Sequence, residues 1–269
     1  MSLWSLAARR ACFASCASLV WGALSISHAN AAPSEPPGGA LALTITDLKK
    51  AVGAEKYAAL RTLWRQWDQT DPSMIEEAIV EIERDKAETA PLRAYASMLA
   101  AYARRRRGDL DGARAKIRAL GVVDRWMVLG PFDNEGKEGL ERVFAPEQEF
   151  GDAIDPMHPY QGKERSVRWR SVPDVFGFGW LDLGDLVRPR EKVCVYATTF
   201  VRSKGGAARA ASIWAGASGA FKLFWNGDEV LVDGAYRDLD ADRFGVPVAL
   251  GNGWNRLTAK VCGDDDGPM

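Results

Sequence analysis

The chain has 269 residues, a formal net charge of −1, 47% hydrophobic residues and 26% charged residues. That balance excludes a disordered polyelectrolyte and gives no electrostatic reason to expect a nucleic-acid partner or an anionic membrane surface. The length allows one or two globular domains.

The N-terminus differs from the rest. Met1 to Arg10 carries Arg9 and Arg10 and no acid, Ala11 to Ile26 is apolar and small, and Ala29-Asn30-Ala31 follows. A basic start, a short apolar run and a small-x-small site form the pattern of a cleavable secretory signal, so residues 1–31 are expected to be removed near Ala31. The apolar run is short of the roughly 20 residues needed to span a bilayer, so no transmembrane helix is expected in the mature chain. The surroundings of Arg9-Arg10 fit a twin-arginine signal poorly, and Cys16 follows Arg10 too closely to be a lipidated cysteine. The expected location is the periplasm, the cell envelope or the medium. The mature chain keeps a single histidine, His158, and two cysteines, Cys194 and Cys262. In an exported chain an even pair is either a disulfide or two buried thiols, and the sequence leaves both open.

Residues 32–43 open with APSEPPGG and read as a Pro/Gly-rich linker. Residues 44–121 are helical in pattern. Tyr57, Leu60, Trp64 and Trp67 share one helix face. Asp71-Pro72 reads as an N-cap with proline at the first helical position, in competition with a Ser73/Glu76 capping box. Ile75, Ile79 and Ile82 line that helix. A third helix starts near Pro91 and breaks at Gly108, and a fourth runs from Leu110 to Gly121. The run Arg104–Arg107 reads as a helix C-terminal turn, with Asp109 and Asp111 close enough to offset it.

From Val122 onward the pattern is β, giving a domain over 122–269. Trp126 and Val128 enter a break at Gly130-Pro131-Phe132. Val167–Trp169, Trp180–Leu183, Val193–Val201, Ala208–Ala215, Phe221–Trp225, Glu229–Val232, Val246–Leu250 and Trp254–Val261 read as strands. Asn226-Gly227 between apolar strands predicts a type I′ hairpin, because both turn residues need positive φ. Many short strands with turn signals between them point to a sandwich or barrel.

The catalytic repertoire is poor. One histidine cannot build a paired-ligand metal site. No Gly-x-Ser-x-Gly elbow or phosphate-cradling loop is present. Nothing in the spacing supports a Cys–His couple, and no carboxylate pair stands out. The expectation is a non-enzyme, or a segment whose catalytic part lies outside this sequence. Asp238, Asp240 and Asp242 alternate as D-x-D-x-D and are the weak metal candidates, for structural calcium. Arg243 and Ala249 stand where a calcium loop needs glycine and glutamate. No other cofactor is expected.

Two resemblances are carried by particular residues. RAYASMLAAYARRRRGDLDGARAKIRAL, with Ala96, Ala113 and Gly108-Asp109, resembles a single tetratricopeptide-repeat unit, which cannot bury its own face and must pack on a neighbour. Val195–Phe200, Phe224-Trp225-Asn226-Gly227 and Leu250–Asn255 with Lys260-Val261 are similar to galactose-binding-like jelly-roll domains. The stretches WMVLGPF (Trp126 to Phe132) and GKERSVRWR (Gly162 to Arg170) look like a variant found in large exported bacterial proteins. The implied fold class is α+β in separate segments: a helical-repeat-like segment, then an all-β jelly-roll sandwich. The implied function is binding of carbohydrate or of an envelope protein. The candidate ligand-binding residues are Trp225, Asn226, Tyr236, Arg237, Trp254 and Asn255, since sugars stack on aromatic faces while polar groups orient them. Alternatives are an accessory segment of a larger exported enzyme and an envelope scaffold with no small ligand, the latter requiring all tryptophans to be buried. Such sandwiches usually continue beyond a strand like Trp254–Val261, so the sequence is expected to be the N-terminal part of a longer protein or a shortened gene product; an unpaired sheet edge would be a liability if the chain stopped there.

Overall fold

A computed structural model describes residues 39–66, 71–173, 178–203 and 207–268. The signal-peptide reading, most of the linker and Trp67 lie outside them. Helices occupy the first part and antiparallel sheets the second, an α+β arrangement. Among the described residues no helix is long and apolar enough to cross a membrane.

The helices are α1 (Gly39–Lys50), α2 (Ala54–Arg65), α3 (Pro72–Arg84), α4 (Ala90–Arg106) and α5 (Leu110–Leu120). Helix α1 begins inside the stretch read as linker to residue 43. Asp71 wins the competition to cap α3, its carboxylate accepting the Ser73 N–H at 2.8 Å. Gly121 closes α5 in the left-handed conformation at φ 74°. Helix α4 is the axis of the bundle: Tyr95, Ala96 and Met98 to Ala103 are all buried, and small residues there let neighbouring helices approach from several sides. The arginine run is neutralised mainly by α3. Arg104 Nε lies 2.6 Å and Arg107 Nη2 2.8 Å from the Glu76 carboxylate, with Asp109 at 3.7 Å from both. Asp111 instead stands by Arg114.

The bundle is completed by the β half. Trp180 packs on Trp64 and Tyr102, the Tyr102 hydroxyl donates to the Phe178 carbonyl at 3.0 Å, and Arg61 ion-pairs with Asp240. Residues 178–180 and 240–242 thus supply surface the helices do not bury among themselves.

The strands are β1 (Met127–Asp133), β2 (Tyr160–Gln161), β3 (Ser166–Val167), β4 (Arg170–Ser171), β5 (Val193–Ser203), β6 (Arg209–Ala215), β7 (Ala220–Trp225), β8 (Asp228–Asp233), β9 (Phe244–Leu250) and β10 (Gly253–Cys262). Six form one sheet in the order β4-β1-β5-β10-β7-β8, β6 pairs with β9, and β2 with β3. Two sequence expectations change here. Gly130-Pro131 does not end a strand: β1 continues through it with a bulge between Leu129 and Phe132. Leu183–Leu186 is a short helix, α6, capped by the Asp182 side chain, where a strand was expected. The final strand β10 lies in the middle of the sheet, and the edges are β4 and β8.

Alternation along the strands builds two cores. On one face Val195, Ala197, Phe221, Leu223, Leu257 and Val261 meet Val246 and Leu250 of the β6–β9 layer. On the other face Tyr196, Phe224 and the cysteines are covered by residues 132–169, including Leu140, Phe150 and Trp169. Cys194 and Cys262 stand opposite each other in the β5–β10 register, with Cα atoms 4.0 Å apart, and are bonded. Gly139 rests on the bridge; a Cβ there would come within 2.6 Å of Cys194 Sγ, so the close approach requires glycine.

Candidate binding site

Six residues carried the sequence-based site, and the register divides them. Asn226, at φ 52°, and Gly227, at φ 95°, form the β7–β8 turn. The Asn226 side chain donates to Asn255 Oδ1 at 3.1 Å and accepts the Arg256 N–H at 2.8 Å. Asn255 is buried; it accepts the Gly251 N–H and donates to the Gly251 carbonyl, both at 3.0 Å, which locks the turn between β9 and β10. Tyr236 and Arg237 lie near the opposite end of β7. The Tyr236 hydroxyl accepts from Asn134, which also donates to the Gly263 carbonyl, and Arg237 donates to Asp233 at 3.0 Å. The length of β7, roughly 17–20 Å, separates the two groups, so the six do not form one site.

Trp225 is corrected as a ligand-stacking residue. It faces the inter-sheet core with Phe221 and Leu223, is 7% exposed, and donates its indole N–H to the Ala249 carbonyl at 2.9 Å. Trp225→Phe keeps most of the apolar contact but leaves that carbonyl without its donor. The expected cost is about 1–2 kcal/mol in urea unfolding, with no loss of binding while the variant is folded.

Trp254 differs. It is 65% exposed, opposite Arg202 in the register, and the Arg202 guanidinium lies 5.7 Å from its ring centre. Phe200, 44% exposed, occupies the same sheet face one pair along, opposite Arg256. Such a diagonal spacing is within reach of aromatic side chains. Beneath them Arg256 is fixed, donating to the Phe150 carbonyl at 3.1 Å and to Thr198 at 3.2 Å. Burial holds its guanidinium below the ordinary value. The result is a short aromatic shelf with charged groups on a rigid sheet. Phe200, read only as part of the Val195–Phe200 motif, and Arg202 were not among the sequence-based site residues, although their alternation with Thr198 was the available signal.

The acidic triplet does not converge. Asp240 is buried and taken up by Arg61, by Arg243 at 3.4 Å and by Arg65 at 3.8 Å. Asp238 is exposed, and Asp242 sits at φ 51° with burial raising its carboxyl above the usual range. Among the described residues no group of three or more His, Cys, Asp and Glu side chains stands together as a metal site. The Cys–His couple is also closed, because both cysteines are in the bridge, while the exposed His158 ring lies edge-on to Tyr160.

A concavity of about 660 Å³ lies along edge strand β4, between the Ser166–Arg170 segment and Asp185–Arg188, with Pro156 and Met157 on its wall. It contains Arg165, Arg168, Arg170 and Arg188. In the sequence Arg165, Arg168 and Arg170 were visible only as part of the GKERSVRWR stretch, and Arg188 lies outside it.

The chain matches no known family model and no curated protein. Any functional reading therefore rests on these surfaces.

Proposed function

We propose that the chain is an exported, non-catalytic binding module of the galactose-binding-like jelly-roll type, preceded by a tetratricopeptide-like helical segment, and that it holds carbohydrate on the face carrying Trp254 and Phe200. The observation that carries this reading is Trp254: a large aromatic ring 65% exposed near the start of the central strand β10, beside a guanidinium. Exposed tryptophan beside polar groups suits the C–H faces and hydroxyls of a sugar. The bridge leaves neither Cys194 nor Cys262 as a free thiol nucleophile. The disulfide also fits an oxidising compartment. The scaffold alternative needed buried tryptophans; Trp254, and Trp214 at 42% exposure, speak against it.

The test is tryptophan fluorescence of the purified full chain, titrated with soluble neutral polysaccharides and oligosaccharides. A saturable shift is expected. Trp254→Ala should abolish it with little change in melting temperature, since the ring is mostly outside the core. A flat response across the panel, or an undiminished one in Trp254→Ala, would remove the shelf as a sugar site.

A further inference from the structure

Several arginines of the helical bundle and of its contact with the β half are ion-paired. Arg104 and Arg107 share Glu76 and Asp109, and Arg61 has Asp240. The β4 cleft contrasts with them. Arg165, Arg168, Arg170 and Arg188 line it with Asp185 as the single carboxylate. Among the described residues none of the four makes an ion pair. Arg188 Nη1 is pinned by the Gly184 carbonyl at 2.7 Å and the Val187 carbonyl at 2.6 Å, and Arg165 reaches the Arg188 carbonyl at 3.4 Å. The Arg170 guanidinium, exposed as a side chain but partly desolvated by the cleft, is held below its ordinary value first by that desolvation and then by the charge of Arg165. Like charges gathered in a concave site raise the local concentration of anions.

Two further features narrow the ligand. Arg168 and Arg170 are alternate residues of an extended segment, so their backbones are roughly 6.6 Å apart. That spacing suits charges repeated along a chain better than one small ion. One wall is apolar, with Pro156, Leu186 and Met157, the last 67% exposed. We propose that this cleft binds an anionic saccharide chain, its arginine forks taking carboxylate or sulfate groups and its apolar wall taking the sugar faces. This rests on the reading that the chain binds carbohydrate, but not on Trp254 as the place.

The experiment is titration calorimetry of the full chain against polygalacturonate, chondroitin sulfate, neutral dextran, poly-glutamate, and sodium sulfate and phosphate alone. The acidic polysaccharides should bind with an affinity that falls as salt rises. The double variant Arg168→Ala/Arg170→Ala should weaken them about tenfold or more, and Arg170→Glu should abolish binding. Both arginines are exposed, so melting temperature should hold, and the neutral-sugar response of the Trp254 face should be unchanged. Acidic polysaccharides binding no better than dextran, or undiminished in the double variant, would overturn the cleft while leaving the Trp254 test to stand on its own. Equal binding of poly-glutamate or of the free inorganic anions would overturn the saccharide assignment, making the cleft a general oxyanion site. No heat with any polymer, together with a flat Trp254 titration, would end both readings.

Discussion

Removing the Cys194–Cys262 bridge, by reduction in denaturant or by Cys194→Ala/Cys262→Ala, is expected to lower the unfolding free energy by about 4 kcal/mol. The bridge spans 68 residues, so opening it returns to the unfolded chain the freedom of a long loop. Four strands, β6 to β9, lie within that loop. The bridge also anchors the buried face that Phe132, Leu140 and Ala220 complete. Both sulfurs are fully buried, so mild reductant without denaturant should act slowly. The measurement is urea unfolding of the oxidised chain and the double-alanine variant. A difference below about 1 kcal/mol would mean that the closed loop contributes little in the unfolded ensemble.

The second large effect is expected at Lys260. This side chain is 0% exposed in the middle of the sheet. Its ammonium donates to the Leu140 carbonyl at 3.0 Å, the Arg142 carbonyl at 2.6 Å and Glu147 Oε1 at 2.7 Å, which uses all three protons. Glu147 also accepts from the Tyr196 hydroxyl. Segment 134–150 has only short 3₁₀ turns of its own, and this network ties it to the sheet. Glu147→Ala leaves an uncompensated buried charge and should cost about 3–5 kcal/mol; Glu147→Gln, which keeps the shape, should cost less. Burial pulls the Lys260 ammonium below its ordinary value, against the opposing pull of Glu147. Its folded pKa is therefore depressed, and between that value and the unfolded lysine value the unfolded chain binds more protons. Stability contributed by this group rises with pH across that window, and its penalty is fully present below it. Glu147→Gln removes the opposing pull, so its stability should climb more steeply with alkaline pH than that of the parent. Parallel curves would show that Glu147 acts as a hydrogen-bond acceptor rather than as a counter-charge.

Much of the local structure was legible because local chemistry decides it. Asp71-Pro72 starts a helix, Gly121 ends one and Asn226-Gly227 turns a hairpin whatever surrounds them. The errors came where two distant parts share a short stretch. Trp180, Leu181 and Leu183 look like a strand because all are apolar, yet Trp180 belongs to the helical core and the leucines to the inter-sheet core. Gly130-Pro131 carries a turn signature that the pairing of β1 with β5 overrides. At the site, Trp225 and Trp254 are alike in sequence, each a tryptophan beside a glycine-containing turn. Strand parity separates them: Trp225 shares a face with Leu223, whereas Trp254 shares one with Arg256 and continues beyond the cover of residues 132–169. The β4 cleft needed the 165–170 and 185–188 segments to meet, and no local pattern announces that.

The central position of β10 shapes how the protein can be made. A chain emerging N-terminus first presents β1 and β5 early, but the strand that joins β5 to β7 arrives after the other described strands of its sheet. Until Cys262 is free, β5 shows one raw margin and the β7–β8 hairpin has no place to dock. Assembly of the six-stranded sheet is therefore a late, non-local event, and the nascent chain is exposed to wrong partners until then. A premature stop or a cut just upstream of Gly253 removes the middle of the sheet, not its fringe.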